Sequence, residues 1–534
     1  MAGSLTRRRL LAWGLRVSAL LLAAPGAVRA AVEKAAELAA EIHRATRNTP
    51  AGAVGKRLRR LLQRPRPFKI YPDARRIPLP ARPEAPALAL EDALARAAPA
   101  PGFAREPISL GELSRLLHAS NGVTGRSPEG LPLRAAPSAG ALYAGEVYVV
   151  ARNVTGLASG VYYYAPLDDA LFAVGAPASA ADTLADALEE PARAGGAACA
   201  VILTNVFLRY RVRYANRGYR YALIDSGHIG ENLRLATASA GLAEWGPLRF
   251  HDDRLNRMVG VDGLREAVCA VHLLGRSGPR PPGAGRRRLA EAHAVGRVLP
   301  EAADDPPERY HEATKLFPSL GPPRDAVPNA PSSDAAFAPA GGSAAPEVPL
   351  PGRPATGRRV EPLIEQRRSA RRLRREPAAA GDLGTVLEAA VGHGALVRAP
   401  GIELLVFVHR VAGVAPGLYR ARPGSRALAP LRAGDLSGEL REACLGQAMA
   451  SEAAFAFLMV GHVEEAVARS GQRAWRDLCI EAGAVGQRIY LACEAVGLAA
   501  RNLAAFFDDR LNALVDADGR RRAVLHLTVA GPGE

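Results

Sequence analysis

The chain has 534 residues, of which 69 are Lys or Arg and 53 are Asp or Glu, so its formal net charge is +16. Hydrophobic residues make up 48% and charged residues 23%, values that exclude a wholly disordered or fibrous chain. The length predicts roughly two to four domains. Nucleic-acid binding is not expected, because no segment combines a basic helix with interleaved aromatic residues or the Cys/His spacing of nucleic-acid-binding modules.

The N-terminal 30 residues have the features of an export signal. Arg7 to Arg9 precede a modest apolar stretch, and residues 28–30 (VRA) form a small-residue cleavage site. Arg16 interrupts the apolar stretch, which is shorter than the ~20 residues that a membrane-spanning helix needs. We therefore predict a twin-arginine-type signal over residues 1–30, a periplasmic location and no stable membrane span after cleavage. An uncleaved membrane anchor and a cytoplasmic chain remain the alternatives.

Cysteine and histidine spacing predicts neither a disulfide framework nor a metal site. The five cysteines stand singly without a CxxC pattern, and the eleven histidines include no HExxH motif. Because an odd number of cysteines cannot all pair within one chain, buried free thiols are the favoured interpretation.

Changes in composition divide the rest of the chain. Residues 31–67 are predicted to form an arginine-rich helical lead. Pro, Gly and Ala accumulate over residues 277–356, a composition typical of a partly extended linker. Within this linker, residues 310–317 are expected to dock on a domain. The remaining segments, 68–276 and 357–534, are the two predicted domains.

The two predicted domains are copies of one another. Residues 147–162 align without a gap with residues 404–419, and residues 219–255 align with 475–511 at nearly the same offset. Each copy is predicted to contain a helix, an apolar strand, a hairpin, a second apolar strand, a long helix, a loop and a last strand. This order predicts an α+β fold, in which two equivalent copies form an intrachain pseudo-dimer within a monomer.

Four short motifs of the first copy occur in a fixed order. They are residues 134–143 (RAAPSAGALY), the Gly and Tyr pattern of 156–164, residues 214–220 and residues 227–230. In this order and spacing they resemble the SagB-type dehydrogenase branch of the FMN-dependent nitroreductase superfamily, here in a tandem, fused form. The resemblance implies two nitroreductase-like domains, each with a central, mainly antiparallel sheet flanked by helices.

The resemblance also implies an FMN site where the two copies meet. In the superfamily, an R-x-S-x-R/K segment of one subunit and a P-S-x segment of the other flank each flavin, and guanidinium groups suit the flavin phosphate. Here the first copy lacks the arginine segment, at 97–101, and the second copy lacks the Pro-Ser turn, at 394–397. Glu190 also replaces the family-like glutamine in the first copy, so one composite site and one degenerate site are implied. The implied FMN-binding residues are Arg367, Arg368, Ser369, Arg371, Gln447, Pro137, Ser138, Ala139, Gly140, Leu142, Ala504 and Ala505.

Candidate catalytic residues also follow from the resemblance. A Lys-Tyr pair of the same branch is implicated in proton removal when azoline rings of modified peptides are oxidised, and Arg213 and Tyr214 occupy that place here. Tyrosine can act as acid or base, but arginine stays protonated near neutral pH and cannot replace lysine as a proton acceptor. This departure and the predicted export both disfavour azoline oxidation.

The sequence therefore predicts a periplasmic FMN-dependent oxidoreductase that acts on a small-molecule or peptide-like substrate. The alternatives are a non-catalytic flavin-binding or interaction protein with decayed sites, and a cytoplasmic peptide-azoline dehydrogenase. No Gly-rich dinucleotide fingerprint follows a predicted strand, so NAD(P)H, if it is the electron donor, is expected to bind transiently over the flavin.

Overall fold

A computed structural model describes residues 37–49, 66–82, 88–175, 180–282, 285–292, 305–319, 346–391, 401–422 and 424–533. The predicted signal, residues 1–30, lies outside them. Within the described residues, no helix is long and apolar enough to cross a membrane, and no cluster of His, Cys, Asp and Glu side chains has the arrangement of a metal site. All five cysteines are buried and free.

Helices and strands occur throughout the described chain. The helices are α1 (37–45), α2 (Leu90–Arg96), α3 (Leu110–Asn121), α4 (Ala180–Ala187), α5 (Leu208–Tyr214), α6 (Arg217–Ser239), α7 (Asp252–Val259), α8 (Pro306–Ala313), α9 (Val360–Gln366), α10 (Ala380–Val391), α11 (Ser437–Ala443), α12 (Ala448–Glu452), α13 (Val463–Ser470), α14 (Ala474–Val496) and α15 (Asp508–Leu514). The strands are β1 (Arg76–Pro78), β2 (Gly102–Ala104), β3 (Ile108–Ser109), β4 (Val123–Arg126), β5 (Pro132–Arg134), β6 (Gly145–Ala151), β7 (Val154–Thr155), β8 (Gly160–Ala165), β9 (Ala170–Gly175), β10 (Cys199–Val206), β11 (Ala243–Trp245), β12 (Glu266–Gly278), β13 (Leu289–Glu291), β14 (Leu316–Pro318), β15 (Val348–Pro349), β16 (Ile402–Val408), β17 (Gly417–Ala421), β18 (Ala427–Ala433), β19 (Phe455–His462), β20 (Ala499–Asn502) and β21 (Arg522–Gly531).

The two main sheets have the same strand order. The first is β1-β9-β8-β6-β10-β12-β11, with β2 paired to β12, and the second is β15-β18-β17-β16-β19-β21-β20. The strand pairs within both sheets are antiparallel. Even the register irregularity repeats, since it falls after Leu203 in β10 and after Met459 in β19. The predicted α+β fold with two equivalent copies is confirmed.

Both faces of the first sheet are buried. In β10, Val201 and Leu203 belong to the large apolar core that extends through both domains, whereas Ala200 and Ile202 pack in a smaller core with α4 and α7. Because successive side chains of a strand point to opposite faces, a strand covered on both sides is apolar at nearly every position.

The domains meet along their longest helices, α6 and α14. A Cβ atom at Gly227 would lie 1.9 Å from the carbonyl oxygen of Ile480, and one at Gly483 would lie 2.0 Å from the carbonyl oxygen of Ile224. The backbones therefore touch where only glycine leaves room. This reciprocal contact makes the two copies an intrachain pseudo-dimer.

Two short segments outside the domains contact this interface in equivalent ways. Beyond α1, the backbone N–H of Asn48 donates to Asp508 Oδ2 at 3.0 Å. Beyond α8, the backbone N–H of Leu316 donates to Asp252 Oδ2 at 2.8 Å. The predicted docking of the segment around α8 is thus confirmed, and that part of the predicted linker is well packed.

These two segments are a second, shorter repeat that the domain comparison did not detect. Residues 43–47 (HRATR) and 311–315 (HEATK) share a histidine, an alanine, a threonine and a basic residue at the same spacing. Thr46 and Thr314 each donate their hydroxyl to the carbonyl four residues earlier, at 2.9 and 2.8 Å respectively. The helical lead and the linker therefore supply matching elements to the two halves of the interface.

Candidate functional site

A cavity of about 1220 Å³ lies between the two domains. The first domain supplies residues 137–141 and the end of α5, and the second supplies residues 366–371, 497–499, 501–505 and Gln447. Neither domain alone encloses the space.

The predicted site residues converge on this cavity, except for Leu142. Leu142 follows the short 3₁₀ helix Ala139–Ala141 and packs against the apolar core instead. The predicted residues that line the cavity are Pro137, Ser138, Ala139, Gly140, Arg213, Tyr214, Arg367, Arg368, Ser369, Arg371, Gln447, Ala504 and Ala505.

The arginine segment of the second domain is bound to the backbone of the first. Arg367 is buried and donates from Nε to the carbonyl oxygen of Ala135 at 3.1 Å. Arg368 donates from Nη2 to the carbonyl oxygen of Thr124 at 2.7 Å. These bonds fix the arginine segment beside the strand that leads into the Pro-Ser turn. Arg371 is exposed and lines the cavity.

The Pro-Ser turn has a backbone that few residues adopt. Gly140 has φ +64°, and Ala141 and Tyr143 have φ +53° and +48°. A Cβ atom at Gly140 would lie 2.4 Å from Tyr214 Oη and 2.7 Å from Arg213 Nη1. Glycine is therefore required both for the turn and for the close approach of the two candidate catalytic side chains. Strained backbone of this kind is typical of functional sites.

A chain of buried hydrogen bonds runs behind this turn. Ser138 Oγ accepts from the backbone N–H of Tyr143 at 2.8 Å and lies 2.5 Å from Tyr210 Oη. The Tyr210 hydroxyl donates to Asp225, which lines the cavity. Burial raises the pKa of Asp225 to about 7, and the hydrogen bonds that it accepts oppose this shift only in part. A carboxyl group that titrates near neutral pH thus lies in the cavity wall.

His228 of α6 is both buried and part of the cavity lining. Its Nε2 atom lies 2.8 Å from Asn502 Nδ2. Burial, and then the positive charge of Arg367, lower the pKa of His228 to about 3. The imidazole is therefore neutral at physiological pH and accepts a hydrogen bond from the Asn502 amide in the tautomer that carries its proton on Nδ1.

Tyr490 and Asn502 connect His228 to the arginine segment. The backbone N–H of Asn502 donates to Tyr490 Oη at 2.9 Å, and this hydroxyl lies 2.9 Å from Ser369 Oγ. Sequence reasoning missed both residues. A signal was available, because the first copy has Arg234 and Gly246 at the equivalent positions, so these sites differ between the copies.

The loop around residues 503–506 is held by side chains from both domains. The carbonyl oxygen of Ala504 accepts from Arg217 Nη2 at 3.0 Å and from Tyr221 Oη at 2.7 Å. The carbonyl oxygen of Ala505 accepts from Gln447 Nε2 at 2.7 Å. Because the peptide bonds are trans, the N–H group that follows each of these two carbonyls points away from the side chains that bind the carbonyl oxygens. Gln447 therefore positions the loop through its amide nitrogen.

The cavity is strongly basic. Six arginines line it, against the two carboxyl groups of Asp225 and Glu494. Planar guanidinium groups bind phosphate and carboxylate through paired, charge-assisted hydrogen bonds, so this lining suits an anionic ligand. The six are Arg126, Arg213, Arg367, Arg368, Arg371 and Arg501.

The pseudo-symmetric position holds a cavity of only about 30 Å³. Its lining includes Glu231, Asp477 and Glu481, and no described Lys or Arg. Such a volume accommodates about one water molecule. Glu190, the sequence counterpart of Gln447, forms an ion pair with Arg286 at 3.1 Å. The two sides of the interface are therefore unequal in space and in charge.

Comparison with known proteins finds the same family in both copies. A sequence model described as Nitroreductase family matches residues 102–276 and 364–531. A candidate nitroreductase of Methanocaldococcus jannaschii is 30% identical over 179 residues, which are 34% of this chain and 88% of that protein. The crystal structure of a candidate nitroreductase from Anabaena variabilis ATCC 29413 is similar with a TM-score of 0.73 at 25% identity. That similarity covers 93% of this chain and 99% of that chain, so the two-copy arrangement is shared.

Proposed function

Because the chain belongs to the nitroreductase family, we propose that it is an FMN-dependent oxidoreductase of the SagB-type kind, with one composite FMN site between its domains. The observation that carries the proposal is the 1220 Å³ cavity, whose basic segment comes from the second domain and whose Pro-Ser turn comes from the first. The small, acidic counterpart cavity of about 30 Å³ supports a single site per chain.

The residues of the larger cavity fit the requirements of FMN. Ser369 and the guanidinium groups of Arg368 and Arg371 can hold the phosphate, since they present donors and positive charge on one wall. The loop of Ala504 and Ala505 and the turn at Gly140 offer backbone that approaches the cavity without bulky side chains. When bound, FMN supplies the transfer of a hydride or of electron pairs.

The chain's own residues would orient the substrate and handle protons. Tyr214 lies at the Pro-Ser turn and can donate or accept a proton through its hydroxyl. Arg213 stays protonated, so its part is to bind and not to remove a proton. The neutral His228 and the carboxyl group of Asp225 lie in the same wall, where they set its polarity.

We also propose that the chain acts in the periplasm as a monomer, after cleavage of the twin-arginine-type signal. The paired arginines, the short apolar stretch and the small-residue cleavage site support this location. The twin-arginine route carries folded proteins, which suits a protein that takes up its cofactor before export. N-terminal sequencing of the mature protein tests the cleavage site.

The function is tested by the flavin absorbance of the purified full chain, taken through anaerobic reduction with NADH or NADPH. We expect about one FMN per chain, which bleaches and is reoxidised by an added nitroaromatic or quinone. Two FMN per chain would contradict the single site. Absence of flavin after reconstitution, or flavin that is never reoxidised, would favour the non-catalytic interaction protein.

A further inference from the structure

We propose that Arg213 forms a binding subsite for a carboxylate group on the substrate of the large cavity. The proposal rests on the proposed function and names a substrate class for it, namely small organic acids that bind beside the flavin. Four observations on α5 and the cavity carry it.

First, α5 bears three arginines, and two of them already have carboxylate partners. Arg209 forms a buried ion pair with Glu146, and Arg211 forms an ion pair with Glu308 of α8. Arg213, by contrast, forms no ion pair with a described carboxylate, although it is half-buried; its guanidinium carbon lies 5.4 Å from the centroid of the Tyr214 ring. A guanidinium group in such a position lacks the anion that its neighbours on the same helix possess.

Second, the equivalent arginine of the second copy is paired. Arg469 lies at the position of Arg213 and binds Glu465, one helical turn earlier, at 2.5 Å. In the first copy the place of Glu465 is taken by Arg209. In the second copy this arginine therefore has an ion-pair partner in its own helix. In the first copy the equivalent arginine remains available to a ligand.

Third, the end of α5 has a strained backbone next to Arg213, which lines the cavity. Ala215 has φ +50°, which costs energy for a residue other than glycine. The equivalent residue of the second copy is Gly471, with φ +89°. Arg213 Nη1 would lie 2.7 Å from a Cβ atom at Gly140, which places the guanidinium group directly on the Pro-Ser turn.

Fourth, the cavity has room and charge for a second ligand. Its volume of about 1220 Å³ exceeds the roughly 300–1,000 Å³ that usually holds one small ligand. Arg368, Arg371 and Arg501 belong to the second domain and suit the flavin phosphate, whereas Arg213 belongs to the opposite domain. The carboxyl group of Asp225 is engaged by Tyr210, and Glu494 lies on the second domain, so neither lining carboxyl group forms an ion pair with Arg213. The carboxylate of a ligand can take that place.

The test compares two probes that differ only in charge, 4-nitrobenzoate and 4-nitrobenzamide. Each is titrated calorimetrically into the oxidised, flavin-loaded full chain, its Arg213→Gln variant and its Arg211→Gln variant. We expect the unaltered protein to bind the benzoate about 10- to 100-fold more tightly than the amide. Arg213→Gln should abolish this preference, whereas Arg211→Gln, which alters a paired arginine of the same helix, should keep it.

Several outcomes would overturn the subsite. Equal binding of the two probes, an equal loss of both in Arg213→Gln, or the same effect in Arg211→Gln would each do so. A lower FMN content of Arg213→Gln would assign this arginine to the flavin phosphate, and a raised KM for NADPH alone would assign it to the nucleotide. The titration needs no turnover. An inactive protein that still prefers the benzoate would therefore contradict the proposed oxidoreductase function but not the carboxylate subsite.

Discussion

Asp508 of the second domain accepts a hydrogen bond from Arg220 of the first, with 2.6 Å between Oδ1 and Nη1 and both side chains fully buried. Arg217 donates to the other oxygen of the same carboxylate. The reverse contact also exists, because Asp252 of the first domain binds Arg473 of the second at 2.8 Å. Two equivalent buried clusters of charge, one from each half, therefore hold the domains together.

We predict that Asp508→Asn strongly destabilises the protein. Although burial alone would raise the pKa of Asp508, Arg217 and Arg220 hold it well below its usual range, so the carboxylate is charged and paired. Its loss leaves two buried guanidinium groups uncompensated, which costs about 3–5 kcal/mol of the free energy of unfolding. Urea denaturation measures this change. The control is Asp509→Asn, next in the chain, whose exposed ion pair with Arg47 should contribute at most about 1 kcal/mol. Equal effects of the two variants would contradict the prediction.

A second prediction concerns the crossing of α6 and α14. Gly227→Ala should destabilise the protein by roughly 1–3 kcal/mol, because its Cβ atom would lie 1.9 Å from the carbonyl oxygen of Ile480 and must push the helices apart. The midpoint of thermal unfolding measures the loss. Gly438→Ala in α11 is the matched control, since a Cβ atom there meets nothing within 4 Å. That control should be neutral or slightly stabilising, and a comparable loss in it would show that the helix contact is not the cause.

The repeat and its element order could be predicted because they depend on local signals. Strand and helix periodicity alone predicts the apolar strands β10 and β19 and the long helices α6 and α14, which are rich in small residues. The Pro-Ser turn and the arginine segment could be placed on one site because the family resemblance implies that both flank the flavin, and each segment is missing from the other copy. Each of these signals lies within a short segment of the sequence.

Other parts of the site could not be predicted, because they depend on contacts between distant residues. His228 and Asn502 are 274 positions apart and meet only after the domains pack. A histidine among small helical residues is equally consistent with a packing role. Only the structure shows that His228 is buried and that Asn502 is its hydrogen-bond partner. Leu142 lies next to the turn in sequence, yet its side chain packs against the core. The backbone angles of that single residue decide whether its side chain faces the core or the cavity, and the sequence does not give them.

A third prediction tests whether one flavin site draws on both domains. Arg367→Ala and Ser138→Ala lie in different copies, and each should weaken FMN binding by about 10- to 100-fold, because each removes a side chain that fixes a wall of the same cavity. Fluorescence titration of the flavin-free protein measures the dissociation constant. Arg374→Ala is the control for the arginine segment, since Arg374 forms an exposed ion pair with Glu376 at 3.5 Å. Full flavin affinity in both site variants would reject the composite site.

The last prediction uses the pH dependence of stability. Between its unfolded value of 3.8 and its folded pKa of about 7, Asp225 holds more proton in the folded state, so its contribution to stability falls as the pH rises. The pKa of His228 is lowered from 6.5 to about 3, so in that range the unfolded state holds more proton and its contribution rises with pH. The two slopes oppose each other between about pH 4 and 6.5.

Asp225→Asn should therefore remove the opposing contribution and leave the pH dependence of stability that His228 causes. In this variant the free energy of unfolding should rise more steeply from pH 4 to 6.5 than in the unaltered protein, by up to about 1.4 kcal/mol per pH unit. Urea denaturation at several pH values measures the slope. Asp92→Asn is the control, since that carboxyl group is exposed on α2 and should leave the slope unchanged. If Asp225→Asn and Asp92→Asn give parallel pH profiles, Asp225 does not carry its proton in the folded protein.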